Sequence, residues 1–422
     1  MEEKKLTIKY AVLQGMYWML AAVAMAYVTP LLEAKGFDSM EIGMLNAVKY
    51  TSVVVFQVLI ASFSDKYAER VPLKYIIALL TVVSMGTAWV FWAVDMGFAG
   101  AVVIFILLGA TINCISPLID SLSIQYMNHG RKLNYTVSRA CGSFTWAIFC
   151  VVVGVFADTF GVTHILLLQI GIAVLLLISN LVMDKVDFTW GKSASLLQER
   201  CTIQEIEAVP EKRESQVHTA GYLLRYFPKY VLFLVACMFT FMGYNLNATF
   251  MIDVVQNLGG SHTDYGVAQF VLAMAEIPTA LVFMKMKKYI SIDKLMVCCS
   301  LFCTLRAAAT TFAPSVLVLI LSQSLELLGL GIFYAGSVFF VMENLPEGDV
   351  VKGVSLINVA TVGIGEAIAS LLCGSIKAAF GLQALMVASI FVSLIGVFVM
   401  LVMLRAKRSV EKAPGNRAMA NC

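Results

Sequence analysis

Apolar runs of membrane-spanning length, separated by short polar breaks, recur along the whole chain. A helix needs roughly 20 apolar residues to cross the hydrocarbon core of a bilayer. Twelve runs meet that length. Six start near Ile8, Met40, Lys74, Phe98, Asn134 and Val162; after a gap, six more start near Lys229, Asp264, Asp293, Pro314, Val351 and Leu382. Barrel strands would be shorter and would alternate in polarity, and an open sheet edge finds no partner in lipid. The runs are therefore read as helices. The predicted class is an all-α membrane protein with twelve transmembrane helices in two six-helix halves.

The longest polar interruption, DKVDFTWGKSASLLQERCTIQEIEAVPEKRESQVHTA, sits between the sixth and seventh runs. It divides the chain into a first half (1–183), a cytoplasmic linker (184–220), a second half (221–405) and a tail (406–422). Two helical halves around a linker fit the plan of transporters built from paired repeats with a site near the midplane. The two halves share no obvious sequence identity.

Composition agrees with the pattern. The chain is 60% hydrophobic and 14% charged, against about 25% charged for a soluble domain, and its mean hydropathy is +0.84. Placing both termini in the cytoplasm puts 25 of the 30 Lys and Arg on that side, as the positive-inside rule requires. Only Lys35 and Lys377 then fall outside. The expected location is the plasma or inner membrane, with both ends cytoplasmic. The net charge of +3 reflects this asymmetry and not a nucleic-acid partner. The first run, preceded by MEEKKLTIKY, is too long for a cleavable signal and lacks a small-residue cleavage site. The ten cysteines show neither a disulfide framework nor metal-ligand spacing. GLGLG (329–333) and GIG (363–365) follow no strand, so they read as close helix packing and not as nucleotide loops. No cofactor, metal or enzymatic activity is expected.

Seven ionisable groups interrupt the apolar runs: Lys49, Asp120, Arg139, Glu276, Arg306, Glu326 and Glu366. Each costs roughly 2.5–3.5 kcal/mol at mid-helix, so such groups face a wet cavity and pair. Three cations can neutralise three of the four carboxylates. The remaining carboxylate escapes its desolvation cost by binding a proton, which is the chemistry of a proton-coupled carrier.

The loop ASFSDKYAERVPLK after the second run places Asp65, Lys66 and Arg70 in a pattern that resembles the gating-loop signature of the major facilitator superfamily. Ala61 and Ala68 stand where that family has glycine. A narrower resemblance is to the oligosaccharide:proton symporter family, of which lactose permease is a member. It covers nearly the full length. The carrying residues are Asp120; Arg139 with Gly142 and Trp146; FQVLIASFSDK (56–66); Tyr244; AMAEIPTA (273–280) with Glu276; SLFCTLRAAA (300–309) with Arg306; and LILSQSLELLG (319–329) with Gln323 and Glu326.

The resemblance implies that Asp120 and Arg139 clamp substrate hydroxyls and that Trp146 stacks on a sugar ring. By the same resemblance Tyr244 and Glu276 join the substrate site and Arg306 with Glu326 handles the proton; Lys49 and Glu366, singled out as intramembrane charges, are candidates for the substrate site and for proton coupling respectively. The departures argue against lactose itself. Glu326 replaces a histidine, and Gly329 stands where the family keeps its proton-carrying glutamate. Asn245, Ala248, Gln323 and Val362 replace two lysine–aspartate pairs, and Glu366 is new. The expected function is proton-coupled symport of a small sugar, oligosaccharide or glycoside by alternating access, with Na+ as the other candidate ion. The alternatives are nucleoside symport or drug efflux on the same fold, and last a membrane sensor or enzyme.

Overall fold

A computed structural model describes residues 2–67, 70–128, 130–184 and 218–406. Most of the linker expected at 184–220, and the tail expected from 406, lie outside the described residues. Helices begin close to all twelve expected starts. The first half contains α1 (Glu2–Ala21), α2 (Ser39–Lys66), α3 (Leu73–Ala93), α4 (Phe98–Asn128), α5 (Tyr135–Phe160) and α6 (Ile165–Leu181). The second contains α7 (Pro228–Thr249), α8 (His262–Tyr289) and α9 (Ile292–Thr311). Helix α10 is assembled from Val316–Ser322, a 3-10 turn at Gln323–Leu327, and Leu330–Asn344. The last two spans share the helix Ala367–Arg405, broken at Gly381, whose φ of 84° is left-handed. We call the stretch from Val350 to that break α11 and the remainder α12.

Among the described residues, nine helices are long and apolar enough to cross a bilayer on their own. The remaining three are explained by their local chemistry. Helix α8 is bent by 54° beside Pro278, which removes one backbone donor and crowds the preceding turn. The 59-residue stretch Glu347–Arg405 would be about 88 Å long as one straight helix, nearly three bilayer cores; the break at Gly381 makes it two spans. Helix α9 is less apolar because it turns Ser300, Thr304, Arg306 and Thr310 inward, where all four are buried.

Two spans contain π-helical stretches, Ala22–Ala26 at the end of α1 and Val359–Glu366 in α11. Such insertions free backbone groups and re-aim side chains, often at functional sites. The second one carries Glu366.

Two hydrophobic cores report how the halves meet. One runs through α1–α6 and takes in Leu246, Phe250, Tyr265, Ala369 and Cys373 from the second half. The other, around Phe233, Met296, Phe340 and Met403, belongs to the second half alone. The halves are thus fused at the end opposite the termini. Glycines permit that closeness. A Cβ on Gly43 would lie 2.5 Å from the Ser370 carbonyl, and one on Gly154 would lie 2.4 Å from the His262 carbonyl.

At the end that carries the termini, the polar ties made by Asp184, Lys229 and Asp349 each stay within one half. Asp184 accepts from Lys9 at 3.0 Å and from Arg131 at 2.8 Å. The Lys9 bond, followed by Arg131, outweighs burial and holds the Asp184 carboxyl below the usual range. In the second half Lys229 meets Asp293 at 2.6 Å, and His218 Nδ1 lies 2.6 Å from Asp349. The two cations that break the positive-inside pattern are both neutralised. Lys35 lies 3.7 Å from Asp95, and Lys377 bridges Glu33 and Asp253.

Candidate functional site

Between the halves lies a cavity of about 170 Å³. Its walls include Lys49 and Tyr50 from α2, Trp146 from α5, Tyr244 and Asn245 from α7, Arg306 from α9 and Glu366 from α11. Five of these seven are residues singled out from the sequence; Tyr50 is new, and Asn245 was noted only as a departure. Drug-sized ligands occupy roughly 300–1,000 Å³, so the space in this state fits a small solute better than an oligosaccharide.

The first-half site is built on α1, α4 and α5. Asp120 Oδ1 accepts from Gln14 Nε2 at 2.9 Å and from the Tyr135 hydroxyl at 3.2 Å. Gln14 Oε1 in turn accepts from Trp18 Nε1 at 3.2 Å. The Arg139 guanidinium lies 4.5 Å from the centre of the Trp18 ring and donates to Ser143 Oγ at 3.3 Å. Trp18 packs edge-on against Trp146, with ring centres 5.8 Å apart. Gly142 is required here, because a Cβ would lie 2.4 Å from the Trp18 ring. Asp120 and Arg139 therefore do not form a direct ion pair. They are linked through Gln14 and Trp18, and both remain partly exposed. Neither Asp120 nor Arg139 is in the wall of the cavity between the halves.

The second-half site is dry. Arg306 and Glu326 are both fully buried, with Nε 3.0 Å from Oε2. The approach is off the N–H direction, so neither atom gains an aligned hydrogen bond, and Arg306 Nη2 has no partner at all. Arg306 also donates to Gln323 Oε1 at 2.9 Å and lies 4.4 Å from the centre of the Tyr244 ring. Glu326 Oε1 accepts from the Leu330 amide at 3.0 Å. The 3-10 turn of α10 makes this possible by freeing that amide for a side chain. Glu276, near the Pro278 bend, lies within electrostatic reach of both Glu326 and Arg139.

A third cluster joins the halves at mid-depth. Lys49 is buried with its ammonium 4.8 Å from the Tyr50 ring centre, within electrostatic reach of Glu366. Asn245 donates to the Tyr50 hydroxyl at 3.4 Å. Of the seven intramembrane charges, then, only Arg306 and Glu326 are in direct ionic contact; the expectation of three close pairs is corrected. Lys49 and Glu366 interact at longer range, and Asp120 and Arg139 are connected only through Gln14 and Trp18.

In the loop after α2, Lys66 closes the helix with its ammonium 5.5 Å from the Tyr67 ring centre. The Arg70 amide bonds the Tyr67 carbonyl at 2.9 Å. The side chain of Asp65 lies outside the described residues. No group of His, Cys, Asp and Glu that could hold a metal occurs among the described residues.

The family model described as "MFS_1 like family" matches residues 8–405. No curated protein matches the chain. Among solved structures, a mutant of the nucleoside transporter NupG superposes with a TM-score of 0.78 at 14% identity, covering 94% of this chain and 99% of that one. A peptide transporter POT in complex with sulfate gives 0.66 at 13% identity, with 95% and 94% covered. A bacterial homologue of the human lysosomal transporter Spinster, inward-facing and unoccupied, gives 0.65 at 12% identity, with 96% and 97% covered. At these identities the likeness is one of fold.

Proposed function

The chain belongs to the MFS_1 like family of the major facilitator superfamily, and we propose that this membrane transporter is a proton-coupled symporter of a small hydroxylated solute, a sugar or glycoside. Arg139 and Asp120 bond hydroxyls, Trp146 offers a ring face, and Lys49, Tyr244 and Glu276 complete the binding surface. Arg306, Glu326 and Glu366 carry the coupling. Asp65, Lys66 and Arg70 latch the cytoplasmic side, and the linker at 184–220 joins the two halves. Both termini are cytoplasmic, by the Lys and Arg bias, in a plasma or inner membrane.

The observation that carries this reading is the Arg306–Glu326 pair: a buried carboxylate held by one imperfect ionic contact and one amide. Protonating Glu326 removes the contact and frees the guanidinium, which already has one unpartnered nitrogen. The arginine can then meet a ligand oxygen. A carrier couples two ligands only if binding one changes its affinity for the other, and a shared arginine supplies that link.

A nucleoside is the second reading. The cavity wall also carries the amides Asn46, Asn245 and Gln269, which suit a base edge, and the similar fold of NupG belongs to a nucleoside transporter. Uptake into proteoliposomes under an imposed inward proton gradient, over a panel of monosaccharides, glycosides and nucleosides, separates the two. Accumulation of a sugar or glycoside, abolished by a protonophore, is the expected result. Accumulation of nucleosides alone transfers the assignment. Accumulation that follows a Na+ gradient and ignores the proton gradient ends the proton reading.

A further inference from the structure

The far end of α5 carries a carboxylate that the transport site does not use. Asp158 reaches across to the other half and accepts four hydrogen bonds from the start of α8. The donors are the His262 amide at 3.0 Å, His262 Nδ1 at 2.9 Å, the Thr263 amide at 2.8 Å and the Thr263 hydroxyl at 2.6 Å. A helix start leaves four amides unsatisfied and favours negative charge. Helix α8, however, already has a local cap. Ser261 Oγ accepts from the Thr263 and Asp264 amides, and Asp264 bonds back to the Ser261 amide at 2.8 Å. Asp158 is therefore not needed to start α8.

The contacts beneath it are also between halves. The Tyr27 hydroxyl, which donates to the Cys150 carbonyl of its own half at 2.7 Å, approaches the His262 carbonyl of the other half at 3.2 Å. Tyr265 donates to the Ala26 carbonyl at 2.9 Å. A Cβ on Gly266 would lie 2.4 Å from the Cys150 carbonyl. Cys150 is fully buried at this crossing. We propose that Asp158 is a gate residue: by capping α8 of the opposite half, it holds shut the end of the transporter opposite the termini. It acts through α8 and touches no solute, and the inference rests on the transporter family alone, whatever the solute or ion.

The buried thiol of Cys150 is a native reporter. Its alkylation by N-ethylmaleimide is followed by peptide mass spectrometry on the purified full chain in nanodiscs, with the exposed Cys141 as internal reference. Asp158→Ala is expected to raise the Cys150 rate about tenfold, an opening shift of about 1.4 kcal/mol, with Cys141 unchanged. Asp158→Asn, which keeps acceptor oxygen but loses charge, falls between. Thr263→Val removes one of the four bonds from the partner side. It is expected to raise the rate in the wild type and to have little further effect in Asp158→Ala, since the two groups share one contact. An unchanged Cys150 rate in Asp158→Ala and Thr263→Val overturns the proposal. So does a parallel rise at the buried Cys299 and Cys303 of α9, which would mean general loosening and not a gate.

Discussion

Each half of the molecule stacks an intramembrane arginine on an aromatic ring, with a carboxylate in the same cluster, yet the two are arranged in opposite ways. Arg139 is partly exposed, stacked on Trp18, and separated from Asp120 by a chain of hydrogen bonds. Arg306 is fully buried, stacked on Tyr244, and in contact with Glu326. A charge that keeps some water can wait for a ligand. A charge removed from water must be paired, and breaking the pair costs about 3–5 kcal/mol. The first arrangement suits recognition, and the second suits a switch whose two states differ by one proton.

The sharpest way to break this comparison is to remove the carboxylate of the dry pair. Glu326→Gln mimics the protonated form permanently. It is expected to bind solute and exchange it between equal pools, but to lose accumulation under a proton gradient. Glu326→Ala leaves the guanidinium buried without its counter-ion and is expected to cost about 3–5 kcal/mol in stability, read by thermal unfolding in detergent. If Glu326→Gln still concentrates solute, the switch lies elsewhere. Glu366→Gln, run in parallel, tests the carboxylate nearest Lys49.

The wet site predicts the reverse signature. Arg139→Lys keeps the charge but loses the planar two-point contact. Stability should stay near wild type, because no buried counter-ion is orphaned. Solute affinity should fall about tenfold or more, in line with about 1.5–3 kcal/mol for charge-assisted hydrogen bonds. Binding by isothermal calorimetry and an unfolding curve on the same preparation check both halves of the statement. Wild-type affinity would remove Arg139 from recognition. A large loss of stability would make it a structural cation like Arg306.

How much of this contrast the sequence carried depends on what fixes each feature. Span length and the Lys and Arg bias are local, so every helix start but the first, Glu2 against Ile8, could be read to within about three residues. The seven intramembrane charges stood out because lipid makes them costly. Their partners could not be read, because pairing depends on how helices rotate and cross. Asp120 and Arg139 look paired on paper; Gln14 and Trp18, from a helix more than a hundred residues earlier, stand between them. The Glu326 contact depends on a 3-10 turn, and the placement of Glu366 on a π stretch, neither of which leaves a mark in hydropathy. Asp158 carries no signal of its contacts in the sequence, since nothing nearby shows that α8 will meet it. Lys377 was visible only as an exception to the charge bias, and Glu33 and Asp253 supply the reason.

The smallest predicted effect refines the comparison at the level of a single hydrogen bond. Tyr135 donates to Asp120 Oδ1 at 3.2 Å, and Gln14 donates to the same oxygen at 2.9 Å. Tyr135→Phe removes one donor and leaves the other. The carboxylate is partly exposed, so water can take the vacated position. Polar contacts between membrane helices average about 0.6 kcal/mol, which corresponds to roughly a threefold change in affinity. The expected result is therefore solute binding about threefold weaker, with no change in stability or coupling. In the second half, Gln323 holds Arg306 at 2.9 Å where neither residue is exposed. There Gln323→Leu leaves a charged donor without water, a loss of about 1–3 kcal/mol or more. If the two substitutions give equal losses of stability, the sites are equally dry and the division between recognition and switch falls. A small loss of affinity in the first half beside a clear loss of stability in the second is the pattern that a wet site and a dry pair require.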